Sequence, residues 1–285
     1  MARVAITGAT GQLGRQLARA FAETGHDVRA LSHADLDLSD PSAPSDLRAW
    51  RPGIVVNSAA WTDVDGCARD PDRAMRINGD GAGRVAEIAA SCDARIVQVS
   101  TNEVFDGTRG EPYSETEEPN PINAYGRSKL AGEQAVAAAN PRHLIVRTAW
   151  LFGPGGTNFV TKIIAAGQRA AGAGEPLRVV EDEIGNPTWT PELADVVVTL
   201  AAEGSLHGVV HAVGTPPVSR LGWAHVALEA AGIAPEIEPV ELASFERAST
   251  PPMRAVLAPS VGVPELDWRP ATRSYVAELL ASTGR

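Results

Sequence analysis

The sequence predicts an α/β protein in which an open parallel sheet is covered by helices on both faces. Short β-branched runs alternate with longer amphipathic or alanine-rich segments over the first 150 residues or so, which is typical of βαβ units. Runs such as Ile54-Val55-Val56 are apolar at every position, as expected for a strand that helices cover from both sides. The pattern therefore favours a doubly wound sheet, although periodicity alone does not distinguish an open sheet from a barrel.

Element boundaries follow from the turn residues and from the period of the apolar positions. We expect strands at residues 3–7, 27–32, 54–57, 95–100 and 144–147. We expect helices at residues 12–23, 65–90 and 124–139, with Pro71 near the start of the second. After about residue 150, Gly and Pro clusters loosen this rhythm and predict a smaller C-terminal lobe over the carboxyl ends of the strands. Residues 196–200 and 209–212 could return to the main sheet.

Composition excludes several classes of protein. The 285 residues carry 25 Lys and Arg against 35 Asp and Glu, so the net charge of −10 argues against nucleic acid or an anionic membrane as a partner. Cys67 and Cys92 are the two cysteines, and we expect them to be reduced thiols. No apolar run is long enough for a signal-peptide core or a membrane span, so we expect a cytoplasmic protein.

A glycine-rich turn follows the first predicted strand. Gly8, Gly11 and Gly14 have the spacing G-x-x-G-x-x-G and stand where a helix begins. A tight turn, close approach of the backbone to a pyrophosphate and close packing of helix on strand all exclude a Cβ atom. The free N–H groups of the helix N-terminus can then bind phosphate. The context favours a dinucleotide site of Rossmann type over a purely structural glycine turn.

The end of the second strand bears on the choice of cofactor. Many NAD-binding proteins carry an acidic residue there, which binds the adenosine ribose. This chain has Ser32 and His33 at that place, with acids only at Asp35 and Asp37. Ser32 does not repel a 2′-phosphate and His33 could pair with one, so we expect NADPH, with NADH as the alternative. The competing interpretation is a solvated loop.

Tyr125 and Lys129 lie four residues apart, which places both on one face of a helix. A phenol with an ordinary pKa of about 10 is a weak acid-base group at neutral pH. A nearby ammonium and the positive nicotinamide would favour its anion and bring the pKa toward the working range. The pair can then pass a proton to a carbonyl while hydride comes from the cofactor.

These motifs and others in the same order identify a known family. The sequence resembles the extended short-chain dehydrogenase/reductases, and within them the dTDP-4-dehydrorhamnose reductase family. The resemblance covers the first 190 residues well and the rest thinly, and it is carried by residues 8–14, 36–40, 57–62, 64–65, 100–107, 125–133, 147–150 and 185–188. It implies an NAD(P)-binding domain at residues 1–150 and a mainly substrate-binding lobe at 151–285. The implied reaction reduces the 4-keto group of a dTDP-6-deoxyhexulose and gives dTDP-L-rhamnose.

The resemblance also implies residue roles. Tyr125 would donate the proton, Lys129 would hold the nicotinamide ribose and tune Tyr125, and Thr101 would hydrogen-bond the sugar carbonyl. The implied cofactor contacts are Gly8, Gly11, Gln12 and Leu13 at the pyrophosphate, Asp37 and Leu38 at the adenosine, and Ala60, Trp61 and Thr62 beyond the third strand. Asn102 and Trp150 would contact the substrate, although core packing explains Trp150 equally well.

The sequence departs from the family at two places. Where the family usually reads Ser-Thr-Asp-Tyr-Val-Phe, this chain has Asn102 and Glu103 at the third and fourth positions. Glu103 resembles the base of nucleotide-sugar 4,6-dehydratases, but Asn102 cannot supply the acid, so simple reduction is favoured and Glu103 becomes a candidate substrate contact. The alternative for Glu103 is a side chain without a role in proton transfer.

The second departure lies in the C-terminal lobe, where the family carries an Arg-Pro pair before Ser-x-Leu. The corresponding stretch is residues 250–257, and within it Arg254 could either bind a substrate phosphate or face solvent.

Metal chemistry is not indicated. His207 and His211 lie on one predicted strand without a third ligand, and the acidic run at residues 181–183 is better explained as a solvated loop than as a Mg²⁺ site. A Mg²⁺ requirement, and a choice between monomer and homodimer, stay open. Two alternative functions also stay open: an epimerase or dehydratase of the extended family that retains its cofactor, and a non-catalytic NADP-binding regulatory subunit.

Overall fold

A computed structural model of the protein describes residues 1–41 and 45–283, and its centre is a six-stranded parallel sheet. The strands are β1 (Arg3–Thr7), β2 (Asp27–Leu31), β3 (Ile54–Asn57), β4 (Arg95–Thr101), β5 (His143–Thr148) and β6 (Gly208–His211). Their order across the sheet is β6-β5-β4-β3-β1-β2. The chain therefore runs from β1 to one neighbour and then crosses to β3 on the other side. The predicted doubly wound α/β fold is confirmed.

Helices connect and cover these strands. They are α1 (Gln12–Glu23), α2 (Ser45–Trp50), α3 (Val64–Arg69), α4 (Pro71–Ala74), a π-helix (Met75–Asp80), α5 (Gly81–Ser91), α6 (Ala124–Ala139), α7 (Phe159–Ala173), α8 (Thr190–Ala202), α9 (Arg220–Ala230) and α10 (Trp268–Thr283). Two short 3₁₀ helices lie at Asn102–Val104 and Leu242–Ser244. Among the helices of the described ranges, none has both the length and the apolar character needed to cross a membrane.

The prediction of one helix over residues 65–90 is wrong. That stretch consists of α3, α4, the π-helix and α5. Asp70 interrupts it with φ −137° and ψ 76°, and the Asp70 carboxylate accepts a hydrogen bond from the N–H of Arg73. Pro71 begins the next helix because its missing N–H costs nothing at that position.

Both faces of the sheet are buried at its central strands. On one face, Val4 and Ile6 of β1 pack with Leu17 of α1 and Leu193 of α8. On the other face, Ala5, together with β3 and β4, packs with Ile88 and its neighbours on α5. Successive residues of β1 thus point to opposite layers of helices.

The C-terminal lobe is built from helices and four short strand pairs. The pairs are Leu151–Phe152 with Thr188–Trp189, Leu177–Val180 with Ile237–Val240, Ile184–Gly185 with Val218–Ser219, and Gly214–Thr215 with Leu266–Asp267. Its core is rich in aromatic side chains, with Phe152 lying 5.2 Å from Trp223 between ring centroids. The domain boundary near residue 150 stays a prediction.

Part of the chain beyond residue 150 does return to the main sheet. The sequence left that possibility open for residues 209–212, and strand β6 (Gly208–His211) lies parallel to β5. Residues 196–200 do not form a strand of the sheet. They lie in α8, which packs against one face of the sheet. A run of four aliphatic residues with Thr199 among them fits a buried helix face as well as a buried strand.

A buried ion pair ties α6 to the sheet. Glu133 of α6 and Arg147 of β5 are both 4% exposed at the side chain, and Arg147 donates to both carboxylate oxygens of Glu133 at 3.0 and 2.7 Å. Ser100 of β4 also donates to Glu133, at 2.5 Å. The helix that carries Tyr125 and Lys129 is thereby held to both β4 and β5.

We expect Glu133→Ala to lower the free energy of unfolding by about 3–5 kcal/mol, because Arg147 is left buried without its partner. The matched control is Glu23→Ala, which removes the exposed pair between Arg19 and Glu23 and should have a much smaller effect. Urea unfolding of the three proteins measures the difference. Equal midpoints for the two variants would contradict the proposed role of the buried pair.

Candidate active site

A cavity of about 670 Å³ lies over the carboxyl ends of the central strands. Its wall includes the turns after β1, β3 and β5 and the end of β4. The strand order reverses between β1 and β3, and in open α/β sheets ligands bind where the order reverses. The volume is within the range of small-molecule and cofactor sites.

The glycine-rich turn forms one wall of this cavity. Gly8 has φ +65°, and a Cβ atom there would lie 2.8 Å from backbone atoms of Ala59. A Cβ atom on Gly14 would lie 2.8 Å from the Cα atom of Ala9, so α1 can pack this closely on β1 only with glycine at that position. Helix α1 begins at Gln12 without a side-chain cap, which leaves its first N–H groups for a ligand.

The loop after β2 closes the same end of the cavity. His33, Asp37 and Leu38 line it, whereas Asp35 accepts hydrogen bonds from the N–H and the hydroxyl of Ser32 at 2.8 and 2.6 Å. These bonds hold the pKa of Asp35 below its usual value. Ser32 is thus engaged within its own turn, and His33 is the basic side chain that this loop adds to the cavity.

The π-helix fixes the loop after β3. Asn78 of the π-helix accepts from the N–H of Trp61 at 2.8 Å and donates to the Trp61 carbonyl at 3.0 Å. Ala60, Trp61 and Thr62 line the cavity, and the guanidinium carbon of Arg73 lies 4.5 Å from the Trp61 ring. Sequence periodicity did not indicate Asn78, because a π-helix has no characteristic sequence pattern. In this structure the π-helix orients the Asn78 side chain toward the backbone of Trp61.

Tyr125 and Lys129 both line the cavity. Asn123 begins α6 by accepting from the N–H of Gly126 at 2.7 Å. One turn apart, Tyr125 and Lys129 are both buried, and the Nζ of Lys129 donates to the carbonyl of Val99 at 2.7 Å. Burial lowers the pKa of Lys129 to about 8, and the charge of Glu133 opposes that shift.

The pKa of the Tyr125 phenol is shifted in the opposite direction to the one expected from the neighbouring lysine. Burial and the nearby Glu103 carboxylate raise the pKa of Tyr125 above its ordinary value, and the Thr101 hydroxyl opposes the rise. The surroundings therefore keep Tyr125 protonated, which suits a proton donor.

Asn102 and Glu103 follow the last residue of β4, and their side chains make hydrogen bonds to different partners. Asn102 donates to the carbonyl of Ala255 at 2.9 Å, which ties the end of β4 to the C-terminal lobe. Glu103 accepts from Asn123 at 2.7 Å. Burial raises the pKa of Glu103, and the hydrogen bond from Asn123 opposes the rise.

Trp150 lines the cavity next to the C-terminal lobe, and its backbone is in a strained conformation. Its φ of +44° is unusual for a bulky side chain, and its indole stacks on the Trp223 ring at a centroid distance of 6.0 Å. Gly185 allows this, because a Cβ atom there would lie 2.6 Å from Cζ2 of the Trp150 indole. Trp150 thus both packs on the lobe core and faces the cavity.

The structure brings together all but one of the side chains that the sequence indicated. The residues that line the cavity are Gly8, Gly11, Gln12, Leu13, Asp37, Leu38, Ala60, Trp61, Thr62, Thr101, Asn102, Glu103, Tyr125, Lys129 and Trp150. Arg254 lies apart from them, and its Nε donates to the carbonyl of Gly110 at 3.1 Å. Arg220 lines the cavity instead, and sequence reasoning missed it because nothing in residues 218–222 marks it.

Within residues 1–41 and 45–283, no three His, Cys, Asp or Glu side chains are grouped closely enough to hold a metal ion. Two members of the acidic run are engaged with other residues: Asp182 accepts from the N–H of Leu242 at 2.8 Å, and Glu183 pairs with Arg220. His211 is buried, and burial lowers its pKa to about 4.

Comparison with known proteins gives a consistent result. The family model described as RmlD substrate binding domain matches residues 2–281. A dTDP-4-dehydrorhamnose reductase of Mycolicibacterium smegmatis is 37% identical over 99% of this chain and 87% of the relative. A probable dTDP-4,6-dihydroxy-2-methyloxan-3-one 4-ketoreductase of Streptomyces antibioticus is 38% identical over 97% and 95%.

A solved structure agrees with these relatives. The dTDP-4-dehydrorhamnose reductase of Bacillus anthracis, in complex with NADP, superposes with a TM-score of 0.90 at 33% identity and covers 97% of this chain and 99% of that one. The resemblance found in the sequence is confirmed. Because the family model spans nearly the whole chain, the chain belongs to the RmlD substrate binding domain family.

Proposed function

We propose that the protein is an NAD(P)H-dependent reductase of the 4-keto group of a dTDP-4-dehydro-6-deoxyhexose, with dTDP-4-dehydrorhamnose as the substrate and dTDP-L-rhamnose as the product. One observation carries the proposal: a single cavity joins the glycine-rich turn to Thr101, Tyr125 and Lys129. The names of the relatives supply the substrate class, since both describe reduction of a dTDP-linked keto sugar.

The residues present fit a dinucleotide. The turn at Gly8 and Gly14 has no room for a Cβ atom, and the uncapped start of α1 offers N–H groups to a pyrophosphate. Gln12 and Leu13 continue that wall, and Asp37 and Leu38 would contact the adenosine. Ala60, Trp61 and Thr62 would line the path toward the nicotinamide. When bound, NAD(P)H supplies the hydride.

Proton delivery falls to Tyr125. Its raised pKa keeps the phenol neutral in the free site, so it can donate to the carbonyl oxygen as that oxygen gains negative charge. Thr101 hydrogen-bonds the same oxygen and polarises the carbonyl. Lys129, one helical turn from Tyr125 on α6, would stabilise the tyrosinate that remains and hold the ribose of the cofactor.

The substrate side of the cavity supports reduction over elimination of water. Asn102 cannot donate a proton as a carboxylic acid would, and its amide is already bonded to Ala255. Glu103 and Trp150 would contact the sugar. A regulatory subunit without activity would not need Thr101, Tyr125 and Lys129 together in one cavity.

Mixing the purified protein with NADPH and dTDP-4-dehydrorhamnose should oxidise the cofactor and release it in amounts equal to the product. Tyr125→Phe should lower kcat by about 10²- to 10⁴-fold, because the proton donor is lost. Its affinity for NADPH should stay near that of the wild type. Retention of oxidised cofactor would favour an epimerase or dehydratase, and equal rates in the Phe variant would exclude Tyr125 as the donor.

Turnover should fall as the pH rises through about 8, because Lys129 loses its charge above that pKa. The neighbouring Glu133 carboxylate raises the pKa of Lys129. In Glu133→Gln that support is absent while the side-chain shape is kept, so the fall should move to lower pH. Profiles of kcat/KM against pH for the two proteins measure this, with Glu23→Gln as the control. If kcat/KM of Glu133→Gln falls at the same pH as that of the wild type, the role assigned to Lys129 is contradicted.

We propose NADPH as the preferred cofactor, with NADH accepted less well. His33 lines the cavity at the end of β2, where a 2′-phosphate would lie, and Asp35 is turned back onto Ser32. His33→Ala should therefore raise the KM for NADPH and leave that for NADH nearly unchanged. Kinetics with both cofactors measure this, and equal use of NADH by the wild type would overturn the preference.

A further inference from the structure

An ion pair between Arg220 and Glu183 lies where the C-terminal lobe lines the cavity, and Arg220 is the first residue of α9. The Arg220 side chain is 21% exposed, and its guanidinium carbon lies 3.5 Å from the centroid of the Trp150 ring. Its partner is Glu183, whose side chain is 9% exposed. The pair adjoins a residue proposed to contact the sugar, and the mechanism makes no use of it.

Arg220 is held in place at several points. Its backbone N–H donates to the carbonyl of Glu183 at 3.1 Å, where Val218–Ser219 pairs with Ile184–Gly185. Its Nε and Nη2 donate to the two carboxylate oxygens of Glu183 at 3.2 and 2.9 Å. The Trp150 ring supports one face of the guanidinium. A guanidinium fixed in this way loses little conformational entropy when a ligand binds.

One nitrogen of Arg220 is left for a ligand. Over the described ranges, Nη1 has no hydrogen-bond partner, although Nε and Nη2 both do. Arg220 is also the first residue of α9, which Ser219 caps by accepting from the N–H of Gly222 at 3.0 Å, so the residue belongs to the helix end that carries partial positive charge. Both features favour an anion at this wall.

The other cations of the cavity are placed for other tasks. Lys129 is bonded to Val99, Arg73 stacks on Trp61, and His33 lies at the end of β2. In the described part of the chain, Arg220 is the guanidinium that both lines the cavity and adjoins Trp150. Arg254, which the sequence suggested for this task, donates to Gly110 away from the cavity.

We propose that Nη1 of Arg220 donates to a phosphate oxygen of the nucleotide sugar, and that Glu183 is a positioning residue that aims the guanidinium. This inference rests on the proposed function and adds the place where the substrate's diphosphate is bound. The geometry also explains how a chain of charge −10 accepts a second diphosphate-bearing ligand beside the cofactor.

Calorimetric titration of the NADPH-saturated protein with dTDP and with thymidine tests the proposal. The wild type should bind dTDP much more tightly than thymidine. Arg220→Met should weaken dTDP binding by about tenfold or more and leave thymidine binding unchanged, because only the charge-assisted bond to phosphate is lost. The matched control is Arg178→Met, since Arg178 also pairs with a glutamate and stacks on an aromatic ring but lies outside the cavity.

A second variant separates phosphate recognition from damage to the fold. Arg220→Met leaves Glu183 buried without a partner, so the double variant Arg220→Met/Glu183→Gln removes both charges. It should melt near the wild-type temperature, bind NADPH normally and show the same loss of preference for dTDP.

Two results would overturn the inference alone. One is an unchanged preference for dTDP in both Arg220 variants, and the other is loss of that preference in Arg254→Met instead. If the wild type binds dTDP no better than thymidine and fails to oxidise NADPH with the keto sugar, the proposed function falls and this inference falls with it.

Discussion

The arrangement of the site depends on one buried carboxylate. Glu133 accepts hydrogen bonds from Arg147 of β5 and Ser100 of β4, and so anchors α6 across two strands of the sheet. Its charge also supports the ammonium of Lys129 one turn away, which burial otherwise disfavours. A helix held in this way presents Tyr125 and Lys129 at a fixed depth over the end of β4. The ionic network beneath the cavity therefore serves both packing and the acid-base chemistry proposed above it.

Individual contacts, and not the net charge of the protein, are proposed to bind its anionic ligands. The chain carries a net charge of −10, yet its cavity is proposed to receive two ligands that each bear a diphosphate. In the proposals above, backbone N–H groups at the start of α1 would bind one of them, and the Arg220 guanidinium, held by Glu183, would bind the other. Directed contacts of this kind depend on geometry more than on the long-range field, so binding should weaken only mildly with salt.

Sequence reasoning succeeded where the signal is local. The glycines of the first turn and the spacing of Tyr125 and Lys129 are short patterns with a direct physical reason, and the structure places both at one cavity. It failed where the outcome depends on distant packing: residues 196–200 form a helix, and a break at Asp70 divides the helix expected over 65–90. Arg220 reaches the cavity only because a short strand pair brings α9 beside Glu183, which no local pattern records.

Isotopic labelling tests whether hydride passes from the cofactor to the sugar within this one cavity. The protein would be supplied with dTDP-4-dehydrorhamnose and NADPH in which both hydrogens at C4 of the nicotinamide ring are replaced by deuterium, and the product would be examined by NMR. We predict one deuterium at C4 of the sugar for each oxidised cofactor released into solution. Product without deuterium at C4, or oxidised cofactor that stays bound through repeated turnovers, would contradict this prediction.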